Sequence, residues 1–458
     1  MEKEEISLIL QKQRQFFRTG ITHDLNYRLD VLKSLRSQII AREQDIIEAL
    51  WKDFHKPSCE VLSSETRFVL SELNLAIRKL RRWARPERVR TPLVHFIASS
   101  YVYYQPYGQI LILSPWNFPF QLSMVPVLSA IAAGNCVVLK TSQRVPHTTM
   151  VIESIIKSLR GEMVVTINGD HSVSEYLLDS KFDYIFFTGS TRTGKHVIEK
   201  AASHMTPVSL ELGGKSPCVV AADAKLDYAV KRIAWGKFYN GGQTCVAPDY
   251  IVVDRKIRDQ FLDLLTREIK SFYGEDPAQS SDLPHMINRE SVKRLASLMN
   301  RGTIVTGGAF DENQCYVAPT VIKDIKPDDP IMQQEIFGPI LPVIDFAEFS
   351  EVYSIIEKNP DPLAVYIFTK NRKLAREFIR NTRSGSAAIN DTVVQFASPY
   401  LPFGGIGSSG IGRYHGKYSF ETFSNTRGVM VKSNLIDLFL RYPPYDKLKE
   451  KVFKWFMR

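Results

Sequence analysis

Cysteine is scarce in this 458-residue chain. The five cysteines (Cys59, Cys136, Cys218, Cys245, Cys315) are odd in number and never form a CxxC pair. That argues against a disulfide framework and against a zinc site, so no metal is expected and a reducing cytoplasm fits best. Long hydrophobic runs are also missing. The best, Met124–Gly134, is interrupted by Pro126 and Ser129 and falls well short of the ~18 apolar residues that span a bilayer. The N-terminal MEKEEISLIL is charged and has no apolar segment followed by a cleavage site, which argues against a secretory signal. Internal repeats and low-complexity linkers are absent. What is there is ordinary: 44% hydrophobic and 24% charged residues, the balance of a globular chain and not of a disordered or fibrous one. At ~150 residues per domain, two or three domains packed together are expected.

The net charge of +10 is local. Residues 78–90 (RKLRRWARPERVR) carry +6 and residues 447–458 (KLKEKVFKWFMR) carry +4, so the rest of the chain is balanced. A nucleic-acid binder usually shows a basic face on its main domain together with a reader motif. No such motif occurs, so no nucleic-acid partner is expected.

The first ~85 residues read as helices. Thr22 is placed to cap a segment with Leu25, Leu29, Leu32, Ile39, Ile46 and Leu50 at helical spacing, and a second helix is expected from about Ser64 to Trp83. YVYYQPYGQ (101–109) reads as an extended ribbon. Then short apolar runs alternate with helical stretches: 109–113, 136–140, 164–168, 184–187 and 208–212, separated by 119–133, 146–160, 172–179 and 191–203. This is the signature of a parallel sheet covered on both faces, which binds ligands at the carboxyl ends of its strands. A second α/β set follows, with strands at 217–222, 249–254, 364–369 and 387–390. The last ~45 residues, rich in Gly, Ser and Tyr, read as loops plus a tail.

Two short motifs mislead. Gly189–Lys195 (GSTRTGK) resembles a P-loop, but His196 stands where Ser or Thr would bind Mg²⁺. What survives is a strand, a turn and a helix N-terminus able to face a phosphate. Gly405–Gly410 matches GxGxxG but follows the proline-bearing SPYLPF, so a tight surface loop is the better reading.

Chemistry concentrates elsewhere. Cys245 lies in the polar, glycine-rich NGGQTCVAPDY, whereas Cys136 and Cys218 sit inside apolar strands, where cysteine serves as a small core residue. Glu211 ends an apolar strand directly before Gly213-Gly214. A carboxylate there is costly to bury, and it reads either as a general base with a raised pKa or as a partner of Lys215 or a cap of the next helix. Asn117, framed by Pro115, Trp116 and Pro119, suits a fixed amide donor to an oxyanion, although Asn is also common in turns. Lys140 ends its strand and can reach a ribose or phosphate or simply be solvated. Spacing alone assigns nothing to Glu335 and Phe337 in QQEIFGP.

The segments SPWNFP, TGSTRTGK, LELGGKSP, NGGQTCVAPDY, QQEIFGPILP and LPFGGIGSSGIGRYHGKYSFETFS, in this order, resemble the aldehyde dehydrogenase superfamily. APDY, RYHGKYSFETF and RYPPY are most similar to its class 3 branch of fatty- and aromatic-aldehyde enzymes. The separation of Glu211 and Cys245, 34 residues, matches that of the family's base and nucleophile. The resemblance spans about residues 5–445.

It implies a Rossmann-type parallel-sheet cofactor domain (1–79 and 106–209), an α/β catalytic domain (210–411), a small bridging β element (80–105 and 412–435) that joins a homodimer, and a tail (436–458). It also implies NAD(P)⁺-dependent oxidation of an aldehyde to a carboxylic acid. Cys245 would add to the carbonyl, Asn117 and the Cys245 N–H would hold the oxyanion, and Glu211 would activate the water that hydrolyses the thioester. Ser114, Trp116, Lys140, Thr188, Gly189, Ser190, Leu212, Gly213, Glu335 and Phe337 would contact the cofactor: Lys140 at the adenosine ribose, Thr188 to Ser190 near the pyrophosphate, Leu212 and Gly213 beside the nicotinamide, and Glu335 at the nicotinamide-side ribose. The alternative is a thiol esterase or acyltransferase that uses Cys245 without hydride transfer.

Three departures from the family pattern stand out. Lys140-Thr141-Ser142-Gln143 replaces a common K-P-S-E, and a neutral Gln143 does not repel a 2′-phosphate, so NADP⁺ use is expected alongside NAD⁺. LPHMIN (283–288) replaces a stretch that usually holds Gly and Arg, and Pro399 stands where relatives often have His at the site rim. In the tail, Leu448, Val452, Trp455 and Phe456 can share one helical face ringed by lysines. This end is expected either to pack at a subunit interface or over the substrate mouth, or to make weak contact with an anionic membrane surface.

Overall fold

A computed structural model describes residues 2–95, 97–437 and 439–456. Helices Lys3–Arg18, Leu25–Ala41, Glu43–Phe54 and Arg67–Trp83 occupy the N-terminal region. The cap expected at Thr22 is corrected to Asp24, whose carboxylate accepts the Asn26 N–H at 2.8 Å. Thr22 is instead buried in a short 3₁₀ turn.

Six strands form the first sheet, in the order Gly410–Ile411, Val208–Leu212, Tyr184–Gly189, Gln109–Leu113, Cys136–Lys140 and Val164–Thr166. All pairings are parallel except that of Gly410–Ile411, which runs antiparallel to Val208–Leu212. Strand order reverses between Gln109–Leu113 and Tyr184–Gly189. Side helices diverge there and leave a crevice outside the carboxyl ends of the strands.

Helix Gln121–Ala133 is buried along its whole length. Pro126 lies inside it and has no N–H to give the carbonyl four residues back. That carbonyl, of Leu122, accepts the Ser114 hydroxyl at 3.5 Å, which fixes Ser114 at the mouth of the crevice.

The second sheet has seven strands, in the order Thr303–Thr306, Thr320–Lys323, Ile340–Phe346, Tyr250–Asp254, Pro217–Val220, Ala364–Phe368 and Ser386–Ile389. Only the Thr303–Thr306 edge is antiparallel. A third, antiparallel sheet joins Glu87–Val89, Ala98–Pro106 and Ser424–Lys432, the last two pairing over nine residues.

The terminal region is therefore more regular than its composition suggests. Helix Gly416–Thr422 and the nine-residue strand Ser424–Lys432 replace the expected loops. This strand is mostly exposed and so lacks the apolar alternation that marks a half-buried one.

Among the described residues no helix is long and apolar enough to cross a membrane. The tail forms a helix, Lys447–Phe456. Val452 and Phe453 line a pocket with Leu93, Val94 and Met430, whereas Leu448 and Trp455 are exposed. The Phe456 side chain, like Met457 and Arg458, lies outside the described residues.

Candidate active site

Cys245 sits in a turn between helix Leu226–Phe238 and strand Tyr250–Asp254. Two left-handed residues, Asn240 and Gly241, open this turn. Gln243 holds it together. Its side-chain amide donates to the carbonyls of Asn240 and His285, each at 3.1 Å, and its Oε1 accepts the Ile287 N–H at 3.0 Å. The LPHMIN segment thus clamps the turn from outside.

The turn is tied to Asn117 across the crevice. Asn117 Nδ2 donates to the Gln243 carbonyl at 3.0 Å, and Asn240 Nδ2 donates to the Asn117 carbonyl at 2.8 Å. Asn117 is buried, and a primary amide carries two N–H groups, so a second donor remains after this bond.

Glu211 lies in strand Val208–Leu212, opposite Thr188 on one side and Gly410 on the other. It is buried, and neither carboxylate oxygen has a hydrogen-bond partner. Burial holds its pKa well above the ordinary carboxylate range, with only the Arg413 guanidinium acting the other way. Gly410, at φ +143°, makes this pairing possible, because a β-carbon there would strike the Leu210 carbonyl.

Glu335 comes from a loop before strand Ile340–Phe346 and lies over Gly213 so closely that a β-carbon on Gly213 would overlap its carboxylate. It accepts the Gly214 N–H. Buried Lys215 and Asp249, paired at 2.5 Å, hold this loop: Lys215 donates to the Gln334 carbonyl at 3.0 Å and Asp249 accepts the Ile336 N–H at 3.0 Å. Burial and the Asp249 charge push Glu335 up to about 8.

The charges of Glu335 and Glu211 both reach Cys245. Burial first, then these two carboxylates, push the half-buried thiol up to about 12, against the N–H groups of Cys245 and Val246. Cys245 therefore rests as a thiol.

Ser114 and Trp116 follow strand Gln109–Leu113, Lys140 ends Cys136–Lys140, Thr188 and Gly189 end Tyr184–Gly189, and Ser190 follows it, so these six gather at the carboxyl ends of the first sheet. Lys140 is nearly buried, and its ammonium donates to the Thr141 carbonyl at 3.1 Å. Ser190 caps helix Thr191–Ala202. Leu212 neighbours Gly189 across the strands, and Trp116 meets Phe337 edge to face at 5.5 Å. Among the sequence-predicted residues, Asn117 is thus tied to the Cys245 turn, and the Glu211 and Glu335 carboxylates act on the Cys245 thiol. Sequence reasoning missed Gln243, Asp249 and Arg413 as supports, and the Lys215 partner it offered to Glu211 is corrected: Lys215 pairs with Asp249. Only their neighbourhood to the singled-out residues could have flagged them.

A family model described as the aldehyde dehydrogenase family matches residues 1–429. The 4,4'-diaponeurosporen-aldehyde dehydrogenase of Staphylococcus aureus (strain NCTC 8325 / PS 47) is 40% identical over 99% of this chain and 100% of its own. The dimeric, NADP-preferring aldehyde dehydrogenase of Rattus norvegicus is 40% identical over 96% and 98%. A solved structure of the substrate-bound state of Staphylococcus aureus AldH superposes with a TM-score of 0.96 at 39% identity, covering 99% of each chain. The chain belongs to the aldehyde dehydrogenase family, whose members oxidise aldehydes to carboxylic acids.

Proposed function

We propose that this chain oxidises medium- to long-chain aliphatic or aromatic aldehydes with NAD⁺ or NADP⁺, through a covalent adduct on Cys245. The observation that supports the substrate class is a small buried apolar cluster, separate from the main core, made by Phe118, Leu122 and Tyr239. Phe118 directly follows Asn117, and Tyr239 directly precedes the turn that carries Cys245, so the cluster borders both residues assigned to the carbonyl and would form an apolar wall beside it. Trp235 extends it, 5.1 Å from Tyr239. The relative from Staphylococcus aureus is named for 4,4'-diaponeurosporen-aldehyde. The test is a panel of C2–C16, benzylic and polyene aldehydes followed at 340 nm with either cofactor. Highest kcat/KM for C2 would overturn this assignment, and turnover of thioesters without any rise at 340 nm would favour the thiol esterase reading.

Two features support a dinucleotide in the crevice. Thr188 Oγ1 is buried at a strand end without a partner, next to a helix N-terminus capped by Ser190. Gly213 leaves room beneath Glu335 that no other residue would leave. Lys140 and Glu335 would hold the two riboses, with Leu212, Gly213 and Phe337 around the ring. Gln143 and Arg144 are both exposed at the adenosine end and offer no negative charge to a 2′-phosphate. The relative from Rattus norvegicus is named NADP-preferring.

The reaction follows from the side chains. The Cys245 thiol gives its proton to solvent water, the resulting thiolate bonds to the carbonyl carbon, and the oxygen takes the displaced electron pair. The second Asn117 N–H and the Cys245 N–H hold that oxyanion. A bound nicotinamide ring, which Leu212, Gly213 and Phe337 would surround, would supply the acceptor for the hydride expelled as the C=O re-forms. Glu211, once deprotonated, takes a proton from water, which attacks the thioester, and the acid leaves as the thiol is restored.

The same reading assigns residues 1–79 and 106–209 to the cofactor and 210–411 to catalysis. Residues 80–105 and 412–435 join two copies, and exposed Met430 and Val431 on the third sheet, with Leu93 in a 3₁₀ turn between two of its strands, support a homodimer. The tail, 436–458, packs at that interface or over the substrate mouth. Vesicle flotation of the full chain against residues 1–445 separates this from weak membrane-surface contact. A reducing compartment such as the cytoplasm suits a catalytic thiol.

A further inference from the structure

The two donors assigned to the oxyanion come from different parts of the chain, Asn117 from the loop after Gln109–Leu113 and the Cys245 N–H from the turn before Tyr250–Asp254. One N-terminal segment, to which the proposed chemistry gives no part, reaches both. Glu60 lies in the short helix Ser58–Val61, and Glu65 in the π turn Leu62–Thr66 that continues it. The Arg67 N–H closes that turn on the Leu62 carbonyl, five residues back. π turns are rare and cluster at functional sites, and the wider turn rotates Glu65 away from its place in a regular α-helix.

Each carboxylate accepts a backbone N–H from one side of the site. Glu60 Oε2 accepts the Asn240 N–H at 2.9 Å, at the start of the Cys245 turn. Glu65 Oε2 accepts the Gln121 N–H at 2.7 Å, where the Asn117 loop enters helix Gln121–Ala133. Glu65 also pairs with Lys56 at 2.8 Å, both side chains fully buried, so its burial is offset without any catalytic role. Glu60 makes no ion pair among the described residues. From Asn240 the bonds run on to both donors. Its Nδ2 donates to the Asn117 carbonyl at 2.8 Å and to the Gln243 carbonyl at 3.1 Å, and Asn117 Nδ2 donates to that same Gln243 carbonyl. Asn240, itself left-handed at φ 57°, therefore fixes the backbone on both sides, and Glu60 fixes Asn240.

We propose that Glu60 is a positioning residue for the oxyanion site: through the Asn240 N–H it holds the Cys245 turn against Asn117, so that the Asn117 amide and the Cys245 N–H converge on one oxygen. This rests on the oxyanion role of Asn117 given above. Burial pushes Glu60 up to about 8. Protonated or ionised, it keeps an oxygen that accepts, as a Gln amide does.

Steady-state kinetics with a good aldehyde tests this in the parent, E60A, E60M, E60Q, N117A and E60A/N117A, with an NADH titration of each. E60A and E60M, which lack an acceptor, lower kcat about tenfold, the loss of one such hydrogen bond, while aldehyde KM and NADH affinity stay within about twofold. E60Q restores most of the parent kcat. In the N117A background E60A costs less than in the parent, because the two residues act through one site. Parent kcat in E60A and E60M while N117A is slow, E60Q as slow as E60A, loss of NADH affinity in step with kcat, or equal cost of E60A in both backgrounds overturns the role of Glu60 alone. An N117A enzyme with parent kcat overturns the oxyanion reading and this proposal with it.

Discussion

Gly213 and Glu335 occupy adjoining space with no room for a single added carbon: a β-carbon on Gly213 would overlap the Glu335 carboxylate. The two residues are far apart in sequence and come from facing loops, so this contact closes the crevice between the two large sheets. Gly213→Ala forces Glu335 off the Gly214 N–H. We expect dinucleotide affinity to fall about tenfold or more, the loss of one charge-assisted hydrogen bond, with little change in thermal stability. Fluorescence titration with NADH checks it.

Asn117 is fixed by one N–H to the Gln243 carbonyl, and the other is assigned to the oxyanion. Asn117→Ala should lower kcat by ~10²–10³ with a much smaller change in KM, the pattern of an interaction made in the transition state. Steady-state kinetics with a good aldehyde measures the split, and a pure KM effect would remove the oxyanion role.

Glu211 has a raised pKa in the folded chain because both oxygens are buried without partners. Below the ordinary carboxyl pKa it is protonated in both states and stability is unaffected. Above it, the unfolded chain ionises first, so stability falls as pH rises toward the folded pKa. Glu211→Gln removes that penalty. Its Tm should exceed the parent's at pH 8 by more than at pH 4.5, while turnover collapses and its residual rate loses the rise with pH. Calorimetry and pH–rate profiles check both halves.

The parallel sheet was legible because its strands are buried on both faces and read as unbroken apolar runs, such as CVVLK and QILIL. Cys245 and Glu211 were legible because a polar, glycine-rich turn and a carboxylate in an apolar strand violate local rules. Ile340–Phe346, a strand in the centre of the second sheet, went unread because Pro342 interrupts it. Ser424–Lys432 went unread because neither face is buried. Glu60 and Glu65 went unread because a carboxylate in a helical stretch normally reads as surface. Only tertiary packing brings the Asn240 and Gln121 N–H groups to them.

Gln143 is exposed three residues beyond strand Cys136–Lys140, on the side proposed for the adenosine. Restoring a carboxylate by Gln143→Glu should lower kcat/KM for NADP⁺ at least tenfold relative to NAD⁺, since the new charge faces a 2′-phosphate. In the parent, discrimination against NADP⁺ beyond ~10³-fold would refute the role assigned to Gln143.

The most direct test is the mass of the protein during turnover. Glu211→Gln mixed with a saturated aldehyde and NAD⁺, then acid-quenched, should gain one acyl group, located by peptide mapping on Cys245. Cys245→Ala should still bind NADH, show no adduct and have no dehydrogenase activity. A parent enzyme at full activity whose quenched protein never carries mass on Cys245, together with an active Cys245→Ala, would contradict covalent catalysis at this sulfur.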